Sequence, residues 1–316
     1  MRESFYDFIF EYIFQELPQI EPAGDGAPDR LALLPDGRVG GAYRGLTLYS
    51  VFQPIFAVEE GSAQCFEALL RAQNDTGGRV SPERVFSLPG GPDEHVYLDR
   101  VARIMHAMNF MIQSGIFRGK LFLNIDPCHL TAVTNSHGEF FEKVLQLCGF
   151  SPKNIVLEIL ESAVDDTRQL QNAVANYRKL GFGIAIDDFG RDHSNFERLW
   201  RLEPDIVKLD RSLIAMAVQN QRMRNVLRYI VEIIHQLHAK VVCEGIETSD
   251  QVSAAQDAGV DFLQGYYFAK PSPNLQRTRL FPSDASMDSA IPACERLYGS
   301  EMAKLAEWGM AQPAYL

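Results

Sequence analysis

The feature that most constrains the fold is a regular alternation of short apolar runs and helix-length segments from about residue 48 onward. In chain order the runs are YSVFQPIFAV, QCFEALLRA, LFLNI, NIVLEIL, GIAIDDF, DIVKLD, KVVCEGI and DFLQGYYF. Most of the later runs are nearly all apolar, which is typical of strands covered on both faces. Segments between them, such as 96–113 and 223–238, carry apolar residues at helical spacing. Eight strands that alternate with helices predict a parallel sheet closed into a barrel.

One connection departs from this pattern. Only the short segment EEGSAQ (59–64) joins the first two strands, whereas a parallel crossover needs about a dozen residues or more. These two strands should therefore form an antiparallel hairpin. We expect an α/β protein with a TIM-like (β/α)8 barrel that contains one antiparallel strand and spans residues 45–275.

The two ends of the chain differ from this central part. Residues 1–44 are predicted to be an N-terminal helical extension and linker, with an aromatic-rich helix over 3–16 and a Pro-, Gly- and Asp-rich loop over 18–40. Residues 276–316 are predicted to be a C-terminal helical tail. These extensions could pack on the barrel or on a second copy of the chain, and the sequence leaves both options open.

Charge and composition exclude several classes of partner. A net charge of −11 argues against non-specific binding to nucleic acid or to anionic membranes. No apolar run approaches the roughly 18–20 residues of a membrane span, and Asp7 and Glu11 interrupt the apolar N-terminal segment, so no signal peptide is expected. The five cysteines lack C-x-x-C spacing and are predicted to be reduced thiols. Together these features predict a cytoplasmic protein that binds neither DNA nor membranes.

Polar or charged residues lie at the end of every predicted strand after the first. In chain order they are Glu67, Asn124, Glu158, Asp187 with Asp188, Lys208, Glu244 and Gln264. A single acid at a strand end is ordinarily a helix cap or part of a surface ion pair. Here, however, seven strands converge on one barrel mouth, which is where barrel enzymes carry their chemistry.

So many carboxylates in one place require bound cations. Adjacent acids such as Asp187 and Asp188 repel each other unless positive charge lies between them, and carboxylate and amide oxygens suit hard divalent ions such as Mg²⁺ or Mn²⁺. Two such ions about 4 Å apart are a common arrangement for in-line displacement at phosphorus. Lys208 could then orient water or neutralise the leaving group, and Arg71 could hold a phosphate in a fork.

The residues also resemble a known family. FEALLR (66–71) resembles the signature of the EAL-domain phosphodiesterases, which hydrolyse the bacterial second messenger cyclic di-GMP. Further segments match in the same order: FQPIF, LFLNI, LEILES, IAIDDFG, PDIVKLDRSLI, CEGIET and QGYYFAKP. The resemblance extends from near residue 50 to residue 272. It implies a barrel with one antiparallel strand, two divalent ions as cofactors, and a homodimer.

The resemblance also implies roles for individual residues. The metal ligands it implies are Glu67, Asn124, Glu158, Asp187 and Asp188. Lys208 resembles the lysine that contacts the nucleophilic water, and Glu244 resembles a further catalytic carboxylate beside the metals. Catalysis is thus assigned to Lys208, Glu244 and Glu67.

Substrate contacts and supporting residues follow from the same resemblance. Leu69 and Arg71 resemble substrate contacts, Gln53 a guanine-side contact, and Gln264 the glutamine near the metal centre. Behind these, Glu161 resembles a glutamate that steadies the loop after the fifth strand. Asp210 is similar to an acid of undetermined role.

One loop departs from the family pattern. After DDFG the family continues with a small Thr- and Gly-containing loop that covers the metal site and contributes to dimer contacts, whereas this chain has RDHSNFERL. Gly190 and Ser194 remain, but Arg191 and His193 stand among the replacements of compact residues. Loss of a glycine restricts the backbone, so we expect the altered loop 190–198 to reduce activity. His193 is interpreted as a solvated loop residue rather than a metal ligand.

Two functions are therefore compared. The first is a phosphodiesterase that uses Mg²⁺ or Mn²⁺ to hydrolyse cyclic di-GMP to linear pGpG. The alternative is a catalytically weak or inactive cyclic di-GMP receptor or protein-interaction module, with a protein partner bound through the terminal extensions. The enzyme is favoured because a competent residue fills every ligand position. An unrelated barrel hydrolase is a distant third.

Overall fold

A computed structural model of the chain describes residues 2–17, 30–115, 119–133, 137–160, 167–191 and 196–277. These residues all fall within one compact unit, Met1–Leu280. The helical tail predicted for 276–316 lies outside the described residues from position 278 onward.

Eleven strands form in the described part of the chain. They are β1 (Leu31–Leu33), β2 (Val39–Tyr43), β3 (Leu46–Ala57), β4 (Ser62–Gln73), β5 (Arg79–Val80), β6 (Lys120–Asn124), β7 (Ile155–Leu160), β8 (Gly183–Phe189), β9 (Ile206–Leu209), β10 (Lys240–Cys243) and β11 (Phe262–Leu263). All eight runs predicted as strands are present, as β3, β4 and β6–β11.

Ten α-helices accompany these strands in the same described ranges. They are α1 (Arg2–Glu16), α2 (Pro82–Phe86), α3 (Pro92–Ser114), α4 (Pro127–Ala132), α5 (Glu139–Leu147), α6 (Thr167–Lys179), α7 (Phe196–Leu202), α8 (Arg211–Gln219), α9 (Gln221–Gln236) and α10 (Ser249–Ala258). Within these ranges, no helix combines the length and the apolar character required to cross a bilayer.

The sheet closes on itself as a barrel with one reversed strand. Strands β4, β6, β7, β8, β9, β10 and β11 pair parallel in that order, and β3 completes the circle by pairing antiparallel with both β4 and β11. The two-residue strand β5 lies outside this circle and pairs antiparallel with the end of β4. The predicted hairpin between the first two strands is confirmed, with Gln53 directly opposite Glu67. A TIM-like barrel with one antiparallel strand is therefore the fold of this chain.

An apolar layer fills one end of the barrel. It consists of Ile55, Cys65, Phe122, Val156, Ala185, Ile206 and Val242, with Phe262 packed against it. A much larger hydrophobic core lies between the outer face of the strands and the surrounding helices. Each strand is thus covered on both faces, which explains why the later runs are almost entirely apolar.

The N-terminal segment contributes to the sheet more than the sequence indicates. Helix α1 forms as predicted and buries Ile9 and Ile13. The region predicted as a loop contains β1 and β2, which form a hairpin, and β2 continues the sheet by pairing with β3. Among the described residues of the predicted loop, the turn lies between Leu34 and Arg38, where Gly37 has φ +80°. Residues 18–29 of the predicted loop lie outside the described residues.

A buried polar cluster fastens this hairpin to α3. The Asn109 side chain donates to the Val39 carbonyl and accepts from the Val39 amide, each at 2.7 Å. Nδ1 of His106 lies 2.8 Å from the Ser50 hydroxyl on β3. Burial, followed by the charge of Arg71, lowers the pKa of His106 to about 3. His106 is therefore neutral in the folded protein at ordinary pH.

This buried histidine predicts a loss of stability in mild acid. The unfolded state takes up a proton near pH 6.5 and the folded state does not, so the free energy of unfolding should fall as the pH drops below 6.5. One histidine contributes about 1.4 kcal/mol per pH unit. The free energy of unfolding, measured by urea titration at several pH values between 5 and 6, should fall less steeply with decreasing pH for His106→Gln than for wild type. The same dependence on pH in both proteins would contradict the prediction.

Candidate active site

A polar layer lies directly above the apolar layer, toward the end of the barrel where the parallel strands finish. Because strand side chains alternate between faces, the inward residues two positions beyond the apolar layer on each parallel strand, and two positions before it on β3, form this layer. Its members are Gln53, Glu67, Asn124, Glu158, Asp187, Lys208, Glu244 and Gln264. The structure thus brings together the strand-end residues predicted from the sequence.

Lys208 lies at the centre of this layer. Its Nζ is 2.5 Å from a Glu158 oxygen, 2.6 Å from Glu244, 3.2 Å from Asp187 and 3.5 Å from Glu67. The lysine side chain is only 1% exposed, so its charge is screened by the four acids and not by water. One buried ammonium therefore holds four carboxylates together.

The charges in this layer shift one another's protonation. Burial opposes the charged form of Lys208, but the surrounding carboxylates raise its pKa well above the usual value. Burial, and then the charges of Glu67 and Asp187, raise the pKa of Glu158 well above that of an ordinary glutamate. Burial likewise raises the pKa of Glu244. One lysine is thus too little positive charge to keep all of these acids ionised.

Glu67 is held by hydrogen bonds from two amide side chains. Gln264 donates from Nε2 to Glu67 Oε2 at 2.6 Å, and Asn124 donates from Nδ2 to Oε1 at 3.3 Å. Both donors come from the inward face of other strands. The Glu67 carboxylate is therefore fixed in orientation and faces Lys208.

The adjacent acids Asp187 and Asp188 reach the same mouth through an irregularity in β8. In a regular strand, neighbouring side chains point to opposite faces. Here the β8–β9 register breaks between Ile186 and Phe189, and Asp188 has φ +58°, in the left-handed region that aspartate tolerates better than most residues. One ligand-type oxygen from each of Asp187, Asp188 and Glu244 lies within 4.8 Å of the others.

This turn also requires its glycine. Gly190 has φ +98°, and a Cβ at that position would clash with Leu213 at the start of α8. The glycine thus lets the chain turn sharply after Asp188. The family resemblance predicts the glycine at 190, but the sequence gives no indication of the left-handed conformation of Asp188.

The residues at the mouth fit divalent cations. The donors are carboxylate and amide oxygens, which Mg²⁺, Mn²⁺ and Ca²⁺ prefer over nitrogen or sulfur. Among the described residues, Glu158 Oε2 and Gln264 Oε1 are buried side-chain acceptors without a hydrogen bond, and Glu158 Oε1 faces Lys208 Nζ. Buried acceptors that receive no hydrogen bond cost stability, and a cation bound between them would satisfy them.

A cleft of about 510 Å³ opens above the polar layer. Its lining includes Gln53, Glu67, Glu244 and Gln264, together with residues that sequence reasoning did not assign to the site: Arg191, Arg211, Ser212, Gly245, Glu247, Gly265 and Tyr266. Most of these residues follow a strand by a few positions, at the start of a helix or in a loop. They were not predicted because the prediction considered only the last residues of each strand.

The remaining predicted residues take varied positions. Leu69 and Arg71 follow Glu67 on the same face of β4, further toward the mouth. Gln53 donates from Nε2 to the Ala269 carbonyl at 3.3 Å. Asp210 lines the cleft and caps α8 by accepting from the Ser212 amide at 2.9 Å. Glu161 and His193 lie outside the described residues.

A second group of possible ligands has a structural explanation. His95, Asp126 and Cys128 place one donor atom each within 4.8 Å of the others. However, Asp126 caps α4 by accepting from the Cys128 amide at 2.6 Å, and its other oxygen lies 3.2 Å from His95. Both oxygens of this aspartate are thus used in fixing the loop after β6.

Comparison with known proteins agrees with this geometry. The family model described as EAL domain matches residues 41–271. The cyclic di-GMP phosphodiesterase NbdA of Pseudomonas aeruginosa is 30% identical over 231 residues, which are 70% of this chain and 28% of NbdA. The probable cyclic di-GMP phosphodiesterase PdeG of Escherichia coli is 27% identical over 232 residues, 70% of this chain and 44% of PdeG. This chain spans less than half the length of these curated relatives.

Solved structures are similar over most of the barrel. A standalone EAL protein of Vibrio cholerae O395 in its c-di-GMP-bound form has a TM-score of 0.64 and 26% identity, covering 72% of this chain and 94% of that one. BlrP1 of Klebsiella pneumoniae, as a manganese/cy-diGMP complex at pH 9.0, has a TM-score of 0.63 and 25% identity, covering 77% and 58%. With the family model matched across 41–271, this chain belongs to the EAL domain family.

Proposed function

We propose that this chain is a metal-dependent phosphodiesterase that hydrolyses cyclic di-GMP to linear pGpG in bacterial second-messenger signalling. The observation that carries the proposal is the polar layer, in which four carboxylates, three amides and one lysine lie together at the base of the cleft. Four of its members, Gln53, Glu67, Glu244 and Gln264, line the cleft itself. The names of the relatives and the ligands of the similar structures support the choice of substrate.

The proposed ligands of Mg²⁺ or Mn²⁺ are the oxygen donors at the mouth: Glu67, Asn124, Glu158, Asp187 and Asp188. Two divalent ions bound there would supply Lewis acidity, which activates water and stabilises charge on the phosphoryl oxygens. The manganese complex of BlrP1 supports this choice of cofactor.

The chain's own residues orient the reactants. Lys208 Nζ now contacts Glu158 and Glu244 directly, and it would donate to a water once bound cations draw one of these carboxylates away. Attack of that water on phosphorus breaks the P–O3′ bond, and one proton of the water passes to the departing 3′ oxygen to give a 3′-hydroxyl and a 5′-phosphate. Gln53, Leu69, Arg71 and Gln264 are proposed to hold the dinucleotide.

Turnover with and without metal tests the proposal. Purified protein with Mg²⁺ or Mn²⁺ should convert cyclic di-GMP to pGpG, measured by chromatography, and excess EDTA should abolish the product. No product with either metal, from protein whose circular dichroism shows it is folded, would reject the enzyme. If calorimetry then showed tight binding of cyclic di-GMP, the chain would be a receptor. A homodimer, a cytoplasmic location and a protein partner at the terminal extensions stay predictions of the sequence.

A further inference from the structure

Arg191 forms an ion pair with one of the proposed metal ligands. Its Nη1 lies 2.8 Å from Asp188 Oδ2, and its backbone amide donates to the Asp188 carbonyl at 3.2 Å. The turn between the two residues brings the guanidinium back over the carboxylate. Both side chains line the cleft.

The carboxylate that Arg191 contacts also belongs to the metal-type cluster. Asp188 offers an oxygen within 4.8 Å of those of Asp187 and Glu244. A divalent ion at this point would have to share Asp188 with the guanidinium or displace it. Because the guanidinium stays charged at any accessible pH, raising the pH does not remove this competition.

We propose that Arg191 is a tethered cation that competes with a divalent ion for Asp188 and thereby sets the metal affinity of the cleft. This inference rests on the metal site of the proposed function. The arginine side chain is 64% exposed, and exposed ion pairs are weak, so the guanidinium can be displaced. It therefore weakens metal binding without preventing it.

The second cleft arginine provides a matched comparison. Arg211, the first residue of α8, lines the same cleft, and among the described contacts it forms no ion pair with Asp188. Replacing either arginine with glutamine removes one positive charge from the cleft. Only the replacement at 191 also removes the direct partner of Asp188, so the pair of variants separates direct competition from the general effect of charge.

Metal binding is measured directly through the electron paramagnetic resonance signal of free Mn²⁺, which is titrated into each protein as the whole 316-residue chain. Arg191→Gln should lower the Kd for Mn²⁺ by about two- to fivefold. Arg211→Gln should have a smaller effect, and Arg191→Lys should give an intermediate Kd. The gain of Arg191→Gln should shrink at high ionic strength, where exposed charges are screened.

Three outcomes would overturn the inference. An unchanged Kd in Arg191→Gln, or equal shifts in the two glutamine variants, would show that direct pairing does not control affinity, while the proposed function would stand. Absence of Mn²⁺ binding in every protein would reject the metal site, and with it both proposals. Circular dichroism of each variant confirms that the protein titrated is folded.

Discussion

Replacing Lys208 with Met should lower the free energy of unfolding of the metal-free protein by about 3–5 kcal/mol, the usual cost of removing one partner from a buried ion pair. The lysine is nearly inaccessible to water and its Nζ lies within 3.5 Å of four carboxylates. Without it, these acids either repel one another or take up protons. The measurement is urea unfolding at pH 8 in EDTA, because at this pH few of the carboxylates can relieve their repulsion by taking up protons.

Two comparisons sharpen this prediction. Glu158→Gln retains the shape of the side chain and leaves Lys208 its other three partners. Burial, Glu67 and Asp187 already raise the pKa of Glu158, so this substitution should lower the free energy of unfolding much less than Lys208→Met. Added Mn²⁺ should restore part of the stability that Lys208→Met loses. If Lys208→Met unfolds at the same urea concentration as wild type in EDTA, Lys208 does not neutralise the carboxylates of the polar layer.

Glu67→Gln should reduce turnover of cyclic di-GMP by about 10²- to 10³-fold, the range for removing one charge-stabilising group from an active site. The amide has the same shape and can keep a hydrogen bond with Gln264, so the fold should survive. It cannot supply an anionic oxygen to a divalent ion. Steady-state kinetics with Mn²⁺, together with thermal unfolding, separates lost chemistry from lost structure.

Glu247 provides the matched control for Glu67. It is an exposed carboxylate that lines the same cleft but lies outside the polar layer. Glu247→Gln should change turnover by less than about threefold, as expected for a surface substitution. Turnover by Glu67→Gln within tenfold of wild type would show that the Glu67 carboxylate is not required for the reaction.

The barrel and the polar layer could be predicted because they follow from strict periodicities. Side chains alternate along a strand, so Cys65 and Glu67 must share a face, as must Ile206 and Lys208. Parallel strands finish at one rim, so the inward residues near their ends must meet. The hairpin of β3 and β4 follows from loop length alone.

Features set by single backbone conformations could not be predicted in this way. The left-handed φ of Asp188 turns its side chain toward the mouth, and nothing in the letters DDFG distinguishes this from a regular strand. The pairing of Arg191 with Asp188 depends on that same turn. The β1–β2 hairpin was missed because its short strands lie in a region dominated by turn-forming residues.

The reversed direction of β3 determines where the N-terminal part of the chain joins the barrel. In an all-parallel barrel the chain enters the first strand at the end opposite the active-site loops. Here β3 starts at the end that carries the polar layer, and β2 is hydrogen-bonded to its first residues. A displacement of the β1–β2 hairpin would therefore be transmitted along the backbone of β3 to Gln53, the cross-strand neighbour of Glu67. The N-terminal hairpin is thus joined directly to the end of the barrel that carries the polar layer.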